Sequence, residues 1–197
     1  VFHILIPTLP IYLSRLGSSE VEIGVLIGIF GVSSLVLRPF VGKALLKIPE
    51  KTFMIMGALI FTFTSIAYLL ASPFWPFLIV RVFQGVGMAF FYTASVTLIA
   101  NISPEAHRGQ SLSYFYLAFN ISFALSPSFG MFVINNFGFT LLFLFCLALS
   151  LCSFFLTTRL GGEPVQQLEV LSSQDEPFLS REALPTAVMA FFAHIIW

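Results

Sequence analysis

The sequence predicts an all-α integral membrane protein built from a bundle of apolar helices. Of its 197 residues, 58% are hydrophobic and only 9% are charged, and the mean hydropathy is +0.98. A soluble domain carries about 25% charged residues, so this chain has too few charges to cover a soluble surface. The composition excludes a soluble enzyme domain and a disordered tail. It indicates a multi-pass protein that lies in the lipid bilayer of the cell membrane.

The charges also balance, with nine Lys and Arg residues against nine Asp and Glu residues. A protein that binds nucleic acid needs a basic surface, which this composition does not supply. We therefore expect no nucleic-acid partner.

Long stretches without charge locate the membrane spans. Between Arg108 and Arg159 lie 50 uncharged residues. As one helix they would extend about 75 Å, more than twice the ~30 Å hydrocarbon core of a bilayer. They must therefore form a hairpin, and Asn135-Asn136-Phe137-Gly138 is the strong turn signal within them. A second uncharged stretch, between Lys51 and Arg81, is broken at Ser72-Pro73.

The predicted spans, in chain order, are 1–13, about 20–42, 52–71, 75–100, 108–134 and 138–158, followed by the start of a seventh at 183–197. We expect the first and last of these helices to be incomplete, because apolar sequence begins at Val1 and continues to Trp197. Ser19 and Glu22 predict a capping box at the start of the second span. Ser103-Pro104 predicts an N-cap and a first-turn proline for the fifth.

The polar segment 159–182 divides the chain into a six-helix unit at 1–158, a linker at 159–182 and a seventh helix from 183. The loops after the second, fourth and sixth spans carry six basic residues, which are Lys43, Lys47, Lys51, Arg108, Arg159 and Arg181. The loops after the first, third and fifth carry only Arg15. Because basic loops stay in the cytoplasm, we expect the N-terminus and the linker to be cytoplasmic.

Arg81 is the charged residue that lies deep inside a predicted span. A central arginine costs about 2.5–3.5 kcal/mol on insertion scales, so it is a functional hypothesis by default. Helical spacing places Arg81, Gln84 and Gly85 on one face, and Gly85 and Gly87 allow a neighbouring helix to approach closely. Arg81 either bonds carbonyls of a partner helix or faces a wet cavity, where it pairs with an anionic substrate or tunes a carboxylate. We favour the second interpretation.

Other polar residues within the spans are weaker candidates for substrate or proton binding. His3 either faces the cavity and titrates, or is a hydrogen-bonded packing residue. Tyr116 and Asn120, with Ser122 and Ser126, form a stripe that either lines the substrate path or bonds between helices. The surrounding Phe and Met residues favour an amphipathic or aromatic substrate. We find no metal-ligand cluster and no cofactor motif, and we expect no cofactor.

The stretch Arg81–Ala89 resembles the R-x-x-Q-G-x-G-x-A motif in the fourth helix of major facilitator superfamily transporters. Three further segments resemble family elements. They are Gly42–Lys47 after Arg38-Pro39 (the loop between helices two and three), Pro104–Gly109 (the P-x-x-x-R-G entry to helix five) and Ser126–Gly130 (the G-P-x-x-G element of exporters). The resemblance covers the chain as the N-terminal six-helix half of a transporter, with the start of helix seven.

The resemblance implies two six-helix bundles that rock around a midplane site, one of them missing from this chain. It implies a small-molecule substrate and protons as partners. The residues expected to act in gating or conformational change are Arg38, Gly42, Lys43, Lys47, Gly85, Gly87, Arg108, Pro127 and Gly130. We also expect Gly24, Gly28 and Gly31 to supply close helix contacts. Leu46 stands where the family has Asp, so cytoplasmic gating is weaker here or uses Glu50 or Glu105.

The function predicted is that of a secondary active transporter, a proton-coupled antiporter that exports drugs or metabolites. A proton-coupled uptake symporter and a non-transporting receptor or scaffold with this fold are the alternatives. An intramembrane enzyme would need a nucleophile–base pair or a metal site within the spans, and the sequence shows neither. No acid lies deep in a span, so a proton-carrying carboxylate is expected in the missing parts of the protein.

Overall fold

The computed structural model describes residues 2–70 and 75–160, which form helices without any strand. The elements are α1 (Phe2–Arg15), α2 (Glu20–Ala44), α3 (Glu50–Leu70), α4 (Trp75–Ile102), a 3₁₀ turn (Glu105–His107) and α5 (Arg108–Arg159). The predicted second, third and fourth spans agree with α2, α3 and α4 to within two residues at each end. The predicted break at Ser72-Pro73, the linker beyond Leu160 and the seventh helix lie outside the described residues.

The long helix α5 folds back on itself at Gly138. Gly138 has φ 82° and ψ 178°, a conformation that favours glycine and interrupts the helix. The ring centroids of Phe129 and Phe145 lie 4.9 Å apart, whereas sixteen residues of straight helix would separate them by about 24 Å. The predicted hairpin is confirmed. We call 108–137 the first arm of α5 and 139–159 its second arm.

The lengths and surfaces of the helices fit a membrane. Among the described residues, four helical stretches are long and apolar enough to cross one, namely α2, α3, α4 and residues 105–159. The described part of α1 has 14 residues, fewer than the ~20 that a span requires. Large apolar side chains are widely exposed, for example Phe63 at 67% and Leu125 at 64%. Exposure on this scale suits lipid rather than water.

Two apolar clusters hold the helices together. The first joins α1 to both arms of α5 and also includes residues of α2, α3 and α4; its buried members are Ile4, Leu5, Leu9, Leu13, Leu26, Tyr68, Phe77, Val80, Val133, Ile134, Leu142, Phe143 and Cys146. The second lies where α2, α3 and α4 meet, and its buried members are Val41, Phe53, Met54, Ala89 and Ala94. Helix α4 therefore passes from one cluster into the other.

Glycines on α3 and α4 permit the closest helix contacts. A Cβ atom at Gly85 would lie 2.6 Å from the carbonyl oxygen of Phe30 in α2, and one at Gly57 would lie 2.8 Å from the backbone nitrogen of Phe91. A Cβ atom at Gly87 would lie 3.0 Å from a methyl group of Ile60. The close approach predicted for Gly85 and Gly87 is confirmed.

Within the described residues, Gly24, Gly28 and Gly31 of α2 make no such contact, so this expectation stays a prediction. A Cβ atom at any of these positions would meet nothing within 4 Å, and the same holds for Gly42. The spacing places three glycines along α2, but the face that carries them is not the one that the described helices cover.

One of the two predicted helix caps is confirmed. The backbone nitrogen of Ser19 donates to Glu22 Oε2 at 2.8 Å, and the Glu22 backbone donates to Ser19 Oγ at 3.3 Å. The cap predicted at Ser103-Pro104 is wrong, because Pro104 precedes the 3₁₀ turn and His107 becomes the residue before α5. Neither residue makes a side-chain capping bond.

We predict that Gly85→Ala destabilises the protein by about 1–3 kcal/mol, the usual cost of overpacking. The added methyl group would collide with a backbone carbonyl of α2, which cannot rotate away. Gly24→Ala is the matched control, because its methyl group enters open space. Thermal unfolding in detergent should show a lower midpoint for Gly85→Ala alone. Equal midpoints for the two variants would show that α2 does not press against α4 at Gly85.

Candidate functional site

Arg81 takes part in a buried hydrogen-bond group with Gln84 and Tyr68. The Arg81 Nη1 atom donates to Gln84 Oε1 at 2.8 Å, and the Tyr68 hydroxyl donates to the same oxygen at 2.8 Å. Arg81 and Gln84 belong to α4, whereas Tyr68 comes from α3. All three side chains are at most 2% exposed. We call these residues the Arg81 group.

The shared acceptor fixes the orientation of the Gln84 side chain. An amide oxygen has two lone pairs, and here each of them receives a donor. If the amide were turned over, its NH₂ group would face the guanidinium, which only donates, and the bond with Arg81 would be lost. The network therefore assigns which end of the amide faces Arg81.

Two donors of the Arg81 group have no acceptor among the described residues. These are Arg81 Nε and Gln84 Nε2, both buried. The guanidinium carbon lies 5.7 Å from the centroid of the Phe30 ring, which supplies a cation–π contact from α2. The described acids, Glu20, Glu22, Glu50 and Glu105, begin helices rather than lie within them. The guanidinium is thus a buried cation held by neutral groups, which is a costly arrangement.

The structure corrects the expected surroundings of Arg81. At 2% exposure it does not face a wet cavity. In residues 2–70 and 75–160 it bonds no carbonyl of a partner helix; its hydrogen bond there goes to Gln84 on its own helix. The sequence spacing correctly grouped Arg81 with Gln84, but it gave no reason to select Tyr68. The one sequence feature that could have pointed to Tyr68 is its hydroxyl group near the end of an otherwise apolar helix.

His3 lies near the start of α1, where it contacts a serine of α5 and also borders a cavity. Its Nδ1 atom lies 3.2 Å from Ser122 Oγ of α5, within hydrogen-bond distance. Its ring meets Phe119 edge to face at 4.4 Å. His3 also borders a cavity of about 280 Å³, whose other lining residues are Ala58, Phe61, Met88, Phe91, Phe119, Leu149, Ser150 and Ser153. This lining is mainly apolar and aromatic.

The polar stripe predicted on the first arm of α5 is divided by the fold. Asn120 and Tyr116 are both exposed, Tyr116 at 41%. The Tyr116 side chain is a hydrogen-bond partner of Tyr92. Ser122 instead reaches His3, and Ser126 is buried. The four residues therefore do not line one common path in this structure.

The expected gating residues of α2 lie at its exposed end. Arg38 is exposed, with its guanidinium carbon 5.1 Å from the centroid of the Tyr92 ring. It borders a groove of about 490 Å³ whose other lining residues are Gly28, Phe30, Gly31, Val32, Ser34, Leu35 and Met88. Gly42, Lys43 and Lys47 follow on the exposed surface.

The expected gating residues of α5 lie at its start and within its first arm. Arg108 begins the helix and is half-buried. Gly130 packs against α1, since a Cβ atom there would lie 2.8 Å from Thr8 Cγ2. Pro127 lies one turn earlier inside the helix, where it removes a backbone hydrogen bond. Gly130 therefore lets the first arm pack closely on α1.

Glu50 forms a polar contact that the sequence did not predict. It begins α3, is 4% exposed, and accepts a hydrogen bond at 2.6 Å from Asn101 Nδ2 in the last turn of α4. Its neighbour Lys51 donates from Nζ to the carbonyl oxygen of Leu160, after α5. These bonds join the ends of α3, α4 and α5 on the side of the α2–α3 loop. In residues 2–70 and 75–160 no cluster of three metal-ligating side chains occurs.

Comparison with known proteins identifies the family. The whole chain, residues 1–197, matches the model of the Major Facilitator Superfamily, and the chain belongs to that family. It is 26% identical to the "Quinolone resistance protein NorA" of Staphylococcus aureus, over 95% of this chain and 50% of the relative. It is 29% identical to an "Uncharacterized MFS-type transporter", MJ1560, of Methanocaldococcus jannaschii, over 71% of this chain and 36% of the relative. The chain thus spans about half the length of these relatives.

We predict that Asn101→Ala destabilises the protein by about 1.5–3 kcal/mol, because it removes the donor to the buried Glu50 carboxylate. Asn136→Ala is the control. In the part of the chain that the structure describes, Asn136 bonds only the carbonyl of Phe132 on an exposed part of α5, and its loss should cost less than about 0.5 kcal/mol. Adding Glu50→Gln to Asn101→Ala should recover part of the loss, because a neutral amide is easier to bury. Unfolding in detergent measures all three. No recovery in the double variant would show that the carboxylate charge is not what Asn101 compensates.

Proposed function

We propose that this member of the major facilitator superfamily exports drugs or metabolites in exchange for protons, and that Arg81 is essential to that exchange. The transport activity belongs to the complete gene product, because the chain spans about half the length of its relatives. Export is supported by the likeness to a protein named for quinolone resistance.

The observation that carries the proposal is the buried, permanently charged Arg81. An arginine does not release its proton in a protein, so Arg81 cannot carry protons itself. A fixed cation can instead favour the ionised form of a carboxylate that approaches it. The acids of the described residues lie at helix starts, so we assign the proton-carrying carboxylate to another part of the protein.

The two donors without an acceptor provide a place for such a partner. Arg81 Nε and Gln84 Nε2 are buried and lack an acceptor in the described part of the chain. A carboxylate of the protein or an acceptor group of the substrate would satisfy them. Because Arg81 is enclosed here, access to it requires movement of the surrounding helices, as alternating access does.

The substrate class follows from the aromatic surfaces. The cavity beside His3 is lined by Phe61, Phe91, Phe119 and Met88, with a few polar groups. Apolar pockets with few polar groups suit amphipathic and aromatic molecules. Quinolones are of this kind, and we propose them as substrates to be tested first.

The remaining expected residues take conformational roles in this proposal. Arg38, Gly42, Lys43, Lys47 and Arg108 lie at the ends of α2 and α5, on the side assigned to the cytoplasm with the linker. The bonds of Glu50 and Lys51 hold the helix ends together there, in place of the acid that Leu46 replaces. The absence of that acid at Leu46 is the observation that favours the alternative of a non-transporting receptor with this fold.

The test is transport of norfloxacin, a fluorescent quinolone, by the complete gene product in proteoliposomes with an imposed pH gradient. Export by antiport predicts drug movement opposite to the proton flow. Arg81→Ala should reduce the rate at least tenfold, whereas Arg81→Lys should keep part of it because the charge remains. Arg15→Ala is the control, since Arg15 also contacts an aromatic ring, at 5.3 Å, but lies exposed at a helix end.

The other outcomes identify the alternatives. Drug movement in the same direction as the protons would indicate a symporter. Norfloxacin binding without gradient-driven movement would support a receptor. A normal rate in Arg81→Ala would remove Arg81 from the mechanism.

A further inference from the structure

We infer that Tyr68 is a positioning residue for Arg81, acting through Gln84, and that it couples the guanidinium to the packing of α5. The inference rests on the proposed function only in giving Arg81 a role in transport. The positioning itself follows from the contacts of the Tyr68 hydroxyl and of the Tyr68 ring.

The hydroxyl of Tyr68 restrains Gln84 from the α3 side. It donates to Gln84 Oε1 at 2.8 Å, the oxygen that also accepts from Arg81 Nη1. Without this bond, the amide is held only by Arg81, which is itself the group to be positioned. With it, the amide has one fixed donor on a different helix. The direction of Arg81 is then set by two helices rather than one.

The ring of Tyr68 is fixed by aromatic neighbours. It lies nearly parallel to Phe143, at an interplanar angle of 12° and a centroid distance of 5.8 Å. It also packs against Phe77 of α4 at 5.4 Å. Phe143 belongs to the second arm of α5, so Tyr68 lies between that arm and Gln84. A tyrosine has two side-chain torsions, and stacking on one side with a bond on the other leaves neither free.

A small displacement of the second arm therefore changes the orientation of the Arg81 side chain. A hydrogen bond of 2.8 Å is lost when the heavy atoms separate by about 1 Å. If Phe143 moves with the second arm and Tyr68 follows it, Gln84 loses its outside donor and its amide is free to rotate. The orientation of Arg81 Nε and Gln84 Nε2, the two donors without an acceptor, then changes as well.

Tyr12 provides a matched comparison within the same aromatic cluster. Its ring packs against Phe77 at 5.9 Å and Phe143 at 5.2 Å. Its hydroxyl makes no hydrogen bond to any described residue. Tyr12→Phe and Tyr68→Phe thus remove the same atom from the same cluster, but only Tyr68→Phe removes a donor to Gln84.

The first measurement reports the position of Arg81 without requiring transport. The complete gene product, labelled with ¹⁵N-arginine, is studied by NMR in detergent, and Arg81→Lys identifies the Arg81 Nε resonance. We expect that resonance to shift or broaden in Tyr68→Phe and to stay unchanged in Tyr12→Phe. An unchanged resonance in Tyr68→Phe overturns the inference, whatever the transport result.

The second measurement relates the position to function through norfloxacin exchange in proteoliposomes. We expect Tyr68→Phe to lower Vmax per folded protein about three- to tenfold, as for the loss of one hydrogen bond. Its unfolding midpoint should lie slightly below that of Tyr12→Phe, because only Tyr68→Phe removes a buried hydrogen bond. Equal Vmax values for the two variants would overturn the coupling of Tyr68 to transport. Parallel assays of Arg81→Ala separate the two claims: normal transport in that variant contradicts the proposed function, while the NMR result still decides the positioning.

Discussion

The structure depends on how it buries one guanidinium inside an apolar bundle. Arg81 is 2% exposed, and a charge taken into a dry interior loses its hydration. Gln84 and Tyr68 replace part of that hydration with hydrogen bonds, and the Phe30 ring contributes its negative face. Gly85 makes the contact between Arg81 and the Phe30 ring possible. The same Phe30 whose ring covers Arg81 presents its carbonyl 2.6 Å from the position of a Cβ at Gly85, so a larger residue there would push Phe30 away.

At the other end of α3, a buried carboxylate is also compensated by a neutral side chain. Leu46 provides no acid in the α2–α3 loop, and the helix ends are joined by Glu50 with Asn101 and by Lys51 with the carbonyl of Leu160. An acid in the first turn of a helix is also favoured by the helix dipole. These bonds hold the ends of α3, α4 and α5 together. A conformational change that separates those ends must break them.

The features that could be predicted from the sequence are those that depend on residues of a single helix or turn. Uncharged lengths gave the bounds of α2, α3 and α4, the Ser19 capping box depends on residues three apart, and the hairpin turn needed only a glycine at Gly138. The expectations that the structure does not meet concern contacts between helices. Spacing shows that Gly24 and Gly28 share a face, but not that this face is open. It groups Arg81 with Gln84, yet the choice of Tyr68 among many aromatic residues depends on how α3 packs on α4.

The Arg81 group lies at the junction of the two apolar clusters. Val80 and Phe77 of α4 belong to the first cluster, and Ala89 belongs to the second, so residues 81–85 lie between them along the helix. Apolar packing is non-directional and tolerates small sliding, whereas hydrogen bonds between fixed groups do not. A polar layer between two apolar clusters therefore fixes the register of α3 on α4. The stacked rings of Tyr68 and Phe143 connect this layer to the second arm of α5, so a shift of that arm would act on the layer through Tyr68.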